Sequence, residues 1–157
     1  MFRHRRRRGI RISVLLALVG LLTHLTAHSD AYNTNGSGIV LNGYDVVAYF
    51  EGEAAPGSNN YALETEQGVF WFSSPQNREI FSSKPEKYLP AYDGYCAFGV
   101  RMGRKLPIDP ESFLVHDERL YVLLNRATKR LFMDDLQRNL EIANRLWPQV
   151  KLRPPEN

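Results

Sequence analysis

Apolar positions along this chain come in short runs with two different periods. In "IVLNGYDVVAYF", Ile39 to Phe50, Asp45 stands directly before an apolar cluster. A short acidic side chain there can accept from free backbone N–H groups. The pattern therefore predicts a short helical turn, capped by Asp45, that turns Val46, Val47, Tyr49 and Phe50 inward. After the loop "EGEAAPGSNN", the runs "YALET" and "VFWF" flank the turn "EQG". β-Branched and aromatic residues around a glycine-containing turn predict a β-hairpin. Ser74-Pro75 then marks a helix start, since serine accepts from free N–H groups and proline has none to leave unpaired. That helix, "PQNREIFSS", should stop near Lys84, because Pro85 disfavours helix at the residue before it.

"PEKYLPAYDGY" reads as a compact irregular crossing. "SFLVHDERLYVLLN" predicts a second hairpin turning at Asp117 and Glu118. From Ala127 to Leu146 the period changes to that of a helix: Phe132, Leu136, Leu140, Ala143 and Trp147 fall at spacings of four, four, three and four, one apolar face. Pro148 is expected to end it. Hairpins followed by helices predict an α+β fold: a small single domain with two β-hairpins, short helices and a C-terminal amphipathic helix. No internal repeat stands out.

The N-terminus changes the picture. "MFRHRRRRGIR" supplies six arginines, and "ISVLLALVGLLTHL", Ile12 to Leu25, carries no charge apart from His24 when protonated. A basic start before an apolar run of 14 residues fits a secretory signal peptide better than a membrane span, which needs about 20. Cleavage is expected after Ala31, with an uncleaved N-terminal anchor as the competing reading. A lipoprotein signal would need a cysteine that residues 1–31 lack, and "RRGIR" is a weak twin-arginine match. The division that follows is 1–31 signal peptide or anchor, 32–38 flexible leader, 39–148 domain and 149–157 tail. The protein is expected to be exported, periplasmic or secreted, and to touch a membrane only if the N-terminal segment is retained.

Charge and cysteine content then narrow the function. Of 20 basic and 17 acidic residues, six and one fall in residues 1–31. The remainder has 14 basic and 16 acidic residues, a net charge of −2, with no basic stripe for nucleic acid. One cysteine, Cys96, cannot form a disulfide within the chain, so stability must come from the core.

The segments "NGYDVVAYFEG", "WFSSPQNREIFSSKPEKYLPAYDGYCAFGV", "DPESFLVHDERLYVLLN" and "ANRLWP" together resemble stand-alone YHS-domain proteins, an exported bacterial group. The resemblance covers about Ile39 to Pro148. It implies an accessory binding domain, and through the related TRASH-type domains an association with heavy metals, copper above all. Those relatives carry cysteine ligands in a "DPVC" turn and an "FCSxxC" helix start. Matched onto this chain, the three positions are Ala48, Ser73 and Asn77. None can supply the sulfur that Cu(I) or a structural zinc site needs.

The candidate chemistry is then as follows. Cys96, with Met102 and His116, would make a soft copper site of thiolate, thioether and imidazole; alternatively Cys96 is a small apolar residue packed between Tyr95 and Phe98. A thiol-dependent enzyme or redox protein would need a base beside Cys96, and only His116, or His28 near the cleavage point, is on hand. Tyr44, Asp45, Tyr92, Asp93, Tyr95 and Cys96 could instead line a surface that orients a polar ligand, against the alternative that the tyrosines bury their rings and satisfy their hydroxyls locally. Arg101, Arg104 and Lys105 follow on a glycine-containing loop, as an anion site or a solvated loop. The partner classes left open are a small ligand, a metal ion or an envelope protein. A purely structural or interaction module is the remaining alternative.

Overall fold

The computed structural model describes residues 32–156, in which four strands and five α-helices build an α+β domain. Strands β1 (Ser58–Thr65) and β2 (Gly68–Phe72) form one antiparallel hairpin; β3 (Asp109–His116) and β4 (Arg119–Leu123) form the other. Helix α1 (Pro75–Ser83) follows β2 with Ser74 accepting from the Asn77 N–H, as its sequence predicts. Helix α2 (Pro85–Tyr88) and a 3₁₀ turn, Ala91–Gly94, replace the expected irregular crossing. Helix α3 (Ala97–Arg101) begins directly after Cys96.

The C-terminal helix departs from its sequence pattern. It is two helices, α4 (Arg126–Asp134) and α5 (Leu136–Val150), broken at Asp135. The buried Asn139 amide donates to the Leu131 and Phe132 carbonyls, which the break leaves without helical partners. Pro148 lies inside α5, within its last turn, and the helix continues to the buried Val150. Residues 149–156, expected as a tail, fold back: Arg153 donates to the Gly103 carbonyl, and Arg104 pairs with Glu156 at 2.7 Å. Residues 32–38, expected as a flexible leader, carry bonds from Asn33 to the carbonyls of Asp93 and Gly94. Residues 1–31, with the expected cleavage point and His28, lie outside the described residues.

The structure also contains a repeat that the sequence conceals. Moving every boundary by 51 residues carries β1 onto β3, β2 onto β4 and α1 onto α4. Both hairpins interrupt their register at the same place, between Ser58 and Ala62 and between Asp109 and Phe113. The left-handed stretch Leu41-Asn42-Gly43 recurs as Tyr92-Asp93-Gly94. The non-helical junction at Lys84, φ −150° and ψ 62°, recurs at Asp135, φ −140° and ψ 64°. The chain is thus two equivalent units, residues 39–88 and 90–139. Glycine is kept at Gly43 and Gly94 because φ is +83° and +77° there; a Cβ on Gly43 would also sit 2.8 Å from the Trp71 ring.

Each unit has its own core. The first gathers Val40, Leu41, Val46, Tyr49, Phe70, Phe72 and Phe81. The second gathers Ala91, Tyr92, Ala97, Val100, Tyr121, Leu123 and Phe132, which are largely the same positions moved by 51. Strand β4 is buried on both faces and divides them: Tyr121 and Leu123 face the second core, while Leu120 and Val122 face the first. The back of the second hairpin therefore closes the first core. The corresponding side of the second core is closed by α5, through Leu140, Ala143, Trp147 and Val150.

Candidate functional site

The six residues expected to share one surface fall into two corners, one in each unit. Tyr44 and Asp45 belong to the first; Tyr95 and Cys96 are their equivalents in the second, and Tyr92 and Asp93 are equivalent to Leu41 and Asn42. Asp45 and Cys96 are completely buried, while Tyr92 and Tyr95 are each 4% exposed. Tyr44 and Asp93 reach solvent in part.

Asp45 does more than cap a turn. Its Oδ1 accepts from the N–H groups of Val47 (2.9 Å) and Ala48 (3.4 Å), and its Oδ2 from the Ser73 N–H (2.9 Å), the Ser73 hydroxyl (2.7 Å) and the Asn77 amide (2.7 Å). Ala48, Ser73 and Asn77, the three positions matched to cysteine ligands of the metal-handling group, thus all turn a donor on one carboxylate. Hydrogen-bond donors aimed at an anion repel a cation. This donor set does not fit copper or zinc, which need lone pairs from sulfur or imidazole.

Cys96 occupies the same corner of the second unit. Its Sγ accepts from the Gly99 N–H at 3.4 Å and the Leu124 N–H at 3.2 Å. Gly99 and Leu124 are Ala48 and Ser73 moved by 51. Even the bond that brings the chain into the corner is shared, from the Asp45 N–H to the Ala55 carbonyl and from the Cys96 N–H to the Leu106 carbonyl. Burial pushes the Cys96 thiol up, outweighing the N–H groups that favour the thiolate. The sulfur is a packed, weakly hydrogen-bonding acceptor in place of the first unit's carboxylate.

The expected soft-metal set is not gathered. Met102 lies past the far end of α3 and is 52% exposed, whereas Cys96 is enclosed. His116 pairs across the hairpin with Arg119, five strand positions from the Leu124 N–H that touches the sulfur, so about 17 Å along β4 separates them. His116 instead lies 3.3 Å from the neighbouring Asp117 carboxylate, in the solvated turn. Among the described residues no group of three His, Cys, Asp or Glu side chains could hold a metal ion.

Two of the tyrosine hydroxyls bond across the fold, 61 and 52 residues away. Tyr92 donates to the Asn144 side chain at 2.9 Å and packs edge-on against Trp147, and Tyr49 donates to the Pro110 carbonyl. Burial raises the phenols of Tyr49 and Tyr92 well above their usual range, and pushes Tyr32, beside Asp93, up to about 12. Lys105 lies over the Tyr95 ring at 5.0 Å and is buried, so it is part of the fold and not of an anion loop. Arg101 donates to Asn139, and Lys151 lies 3.4 Å from Asp93.

Sequence reasoning missed Asn139, Asn144 and the Ser73 and Asn77 contacts to Asp45. No local signal pointed to the last two; the recurrence of "NGYD" as "DGYC" marks only that the two corners are equivalent. Fold and site together define a two-unit α+β domain with one enclosed acceptor at each corner. No family model, curated protein or solved structure matches the chain.

Proposed function

We propose that this protein is an exported, YHS-type accessory module that folds without metal and acts by binding a partner, not by catalysis. The observation that carries the reading is the pair of equivalent corners, in which backbone N–H groups from the same relative positions surround a carboxylate in one unit and a thiol in the other. Where the metal-handling relatives would place ligands, this chain places donors. Export is supported by the arginine-rich start and the apolar run Ile12–Leu25. A thiol enzyme is disfavoured because Cys96 is enclosed, burial raises its pKa, and His116, the candidate base among the described residues, lies at the far end of β4.

The test is elemental analysis of the full-length protein from its native host, followed by anaerobic Cu(I) and Zn(II) titration. The expected result is substoichiometric metal and a thermal midpoint unmoved by a chelator. Stoichiometric, tight metal binding that is abolished by Cys96→Ser or Asp45→Asn would overturn the proposal.

A further inference from the structure

The chain holds two Asn-Gly pairs, Asn35-Gly36 and Asn42-Gly43, and the fold treats them in opposite ways. Glycine is needed at Gly43: the residue is buried at φ +83°, its N–H donates to the Val40 carbonyl at 3.0 Å, and a Cβ would strike the Trp71 ring. Asn42 itself is held at φ 55° and ψ 24°. Gly36 has no such reason to be glycine. A Cβ there would meet nothing within 4 Å, and its φ lies outside the left-handed region. Residues 35–37 are all exposed, and among the described residues the Gly36 N–H has no hydrogen-bond partner.

What glycine supplies at position 36 is an unshielded nitrogen beside an asparagine side chain. The Asn35 Oδ1 accepts from the Ser37 N–H at 3.0 Å and from the Ile39 N–H at 3.1 Å. These two donors draw electron density from the amide carbon and stand where negative charge collects when a nucleophile adds to it. The nucleophile is the Gly36 backbone nitrogen. Turning it onto that carbon opens only the bonds of an exposed turn, whereas the same rotation at Asn42 would drag the buried Gly43 from under Trp71.

We infer that Asn35-Gly36 is a self-modifying site, at which the folded protein converts asparagine to isoaspartate while Asn42-Gly43 stays intact. The Gly36 nitrogen bonds to the Asn35 side-chain carbon, and the Asn35 amide nitrogen leaves as ammonia, taking up the proton that Gly36 gives up. Water then opens the cyclic imide. Cleavage at the side-chain carbonyl yields aspartate; cleavage at the main-chain carbonyl yields isoaspartate, whose backbone runs through the former side chain and is one carbon longer. The change falls on a strap between the two units. Asn33 bonds to the Asp93 and Gly94 carbonyls of the second unit, while Gly38 and Val40 pair with Val69 of the first. The Asn35 carbonyl, which accepts from the Gly38 N–H at 2.9 Å, leaves the main chain in isoaspartate, and the turn that spaces the two ends of the strap is lost. The inference is independent of the metal and export readings.

The experiment incubates the full chain in mildly alkaline buffer, either folded or unfolded in guanidinium chloride. Both pairs are followed by peptide mapping, with fragmentation that separates isoaspartate from aspartate. The expected result is that Asn35 converts at similar rates in the two states, while folding slows Asn42 by at least about tenfold, because its conversion waits on local opening. Gly36→Ala, which the open space at that position accepts, should keep the fold and slow Asn35 several-fold. In the aged protein the amides of residues 33–40 should exchange with solvent faster than in the fresh protein. Folding that slows Asn35 as much as Asn42 would overturn the inference. So would conversion of Asn42 in the folded protein at its unfolded rate, or an alanine variant that converts as fast as the parent. Unchanged exchange at residues 33–40 after conversion would overturn the effect on the strap.

Discussion

Replacing Asp45 by alanine should be among the most destabilising single changes in this protein. The carboxylate accepts five hydrogen bonds while wholly enclosed. Alanine removes both acceptors and leaves the Val47 and Ala48 N–H groups stranded in the interior, each at about 1–3 kcal/mol. The Ser73 and Asn77 groups lie nearer the surface and can turn to water, so their loss adds less. The expected cost is about 4 kcal/mol, a large share of a domain stability of about 5–15 kcal/mol. Asparagine should be milder, at about 1–2 kcal/mol. Its oxygen can keep Val47 and Ala48, the Ser73 hydroxyl can rotate to accept, and the Asn77 amide can flip, which leaves only the Ser73 N–H opposed. Urea unfolding followed by tryptophan fluorescence measures both variants, with an unchanged dependence on denaturant showing that the comparison is sound. An alanine variant within 1 kcal/mol of the parent, or an asparagine variant as damaged as alanine, would refute the account of Asp45 as an enclosed acceptor.

Two further outcomes follow from the second unit. Cys96 should react with a thiol reagent at neutral pH only as fast as the protein opens, orders of magnitude slower than in urea, and Cys96→Ala should cost about 1–2 kcal/mol; rapid native labelling would contradict its enclosure. In alkaline solution the folded protein holds the thiol and the phenols of Tyr49, Tyr92, Tyr95 and Tyr121 neutral above the values at which the unfolded chain releases those protons. Stability should therefore be full below about pH 9 and fall as pH rises beyond it, by up to about 1.4 kcal/mol per pH unit for each fully enclosed group. Ultraviolet titration should show these tyrosines ionising in one step with unfolding; gradual ionisation of all of them in a protein that stays folded would be the contrary result.

The elements that were legible in the sequence are those whose signals are local. Ser74-Pro75 starts a helix by its own chemistry, and both hairpins announce themselves by β-rich runs around short polar turns. Asp45 was legible as a cap because Val47 and Ala48 are its neighbours. Its bonds to Ser73 and Asn77 cross 28 and 32 residues, a distance that no local pattern spans. The break at Asp135 was hidden because Phe132, Leu136 and Leu140 keep a helical spacing straight through it. The first unit makes the same break visibly, where Pro85 enforces it. The repeat itself escaped notice because the units share identical residues at only a few places, among them Gly43 and Gly94, Tyr44 and Tyr95, and Phe81 and Phe132. What the units share is a register of burial, which different apolar residues fill equally well. For the same reason the six-residue surface came out as two corners: proximity along the chain was legible, and membership in separate cores was not.

The way the two units sit against each other gives the C-terminal helix a meaning of its own. Each unit has a core of its own, and Leu120 and Val122, on the back of the second hairpin, close the core of the first. On the first core the next hairpin supplies the closing side; on the second, α5 supplies the closing residues. The helix is therefore a cap: without Leu140, Ala143 and Val150 the second core would stand open to water on that side, and the apolar stripe that marks the helix in the sequence is the inner face of that cap.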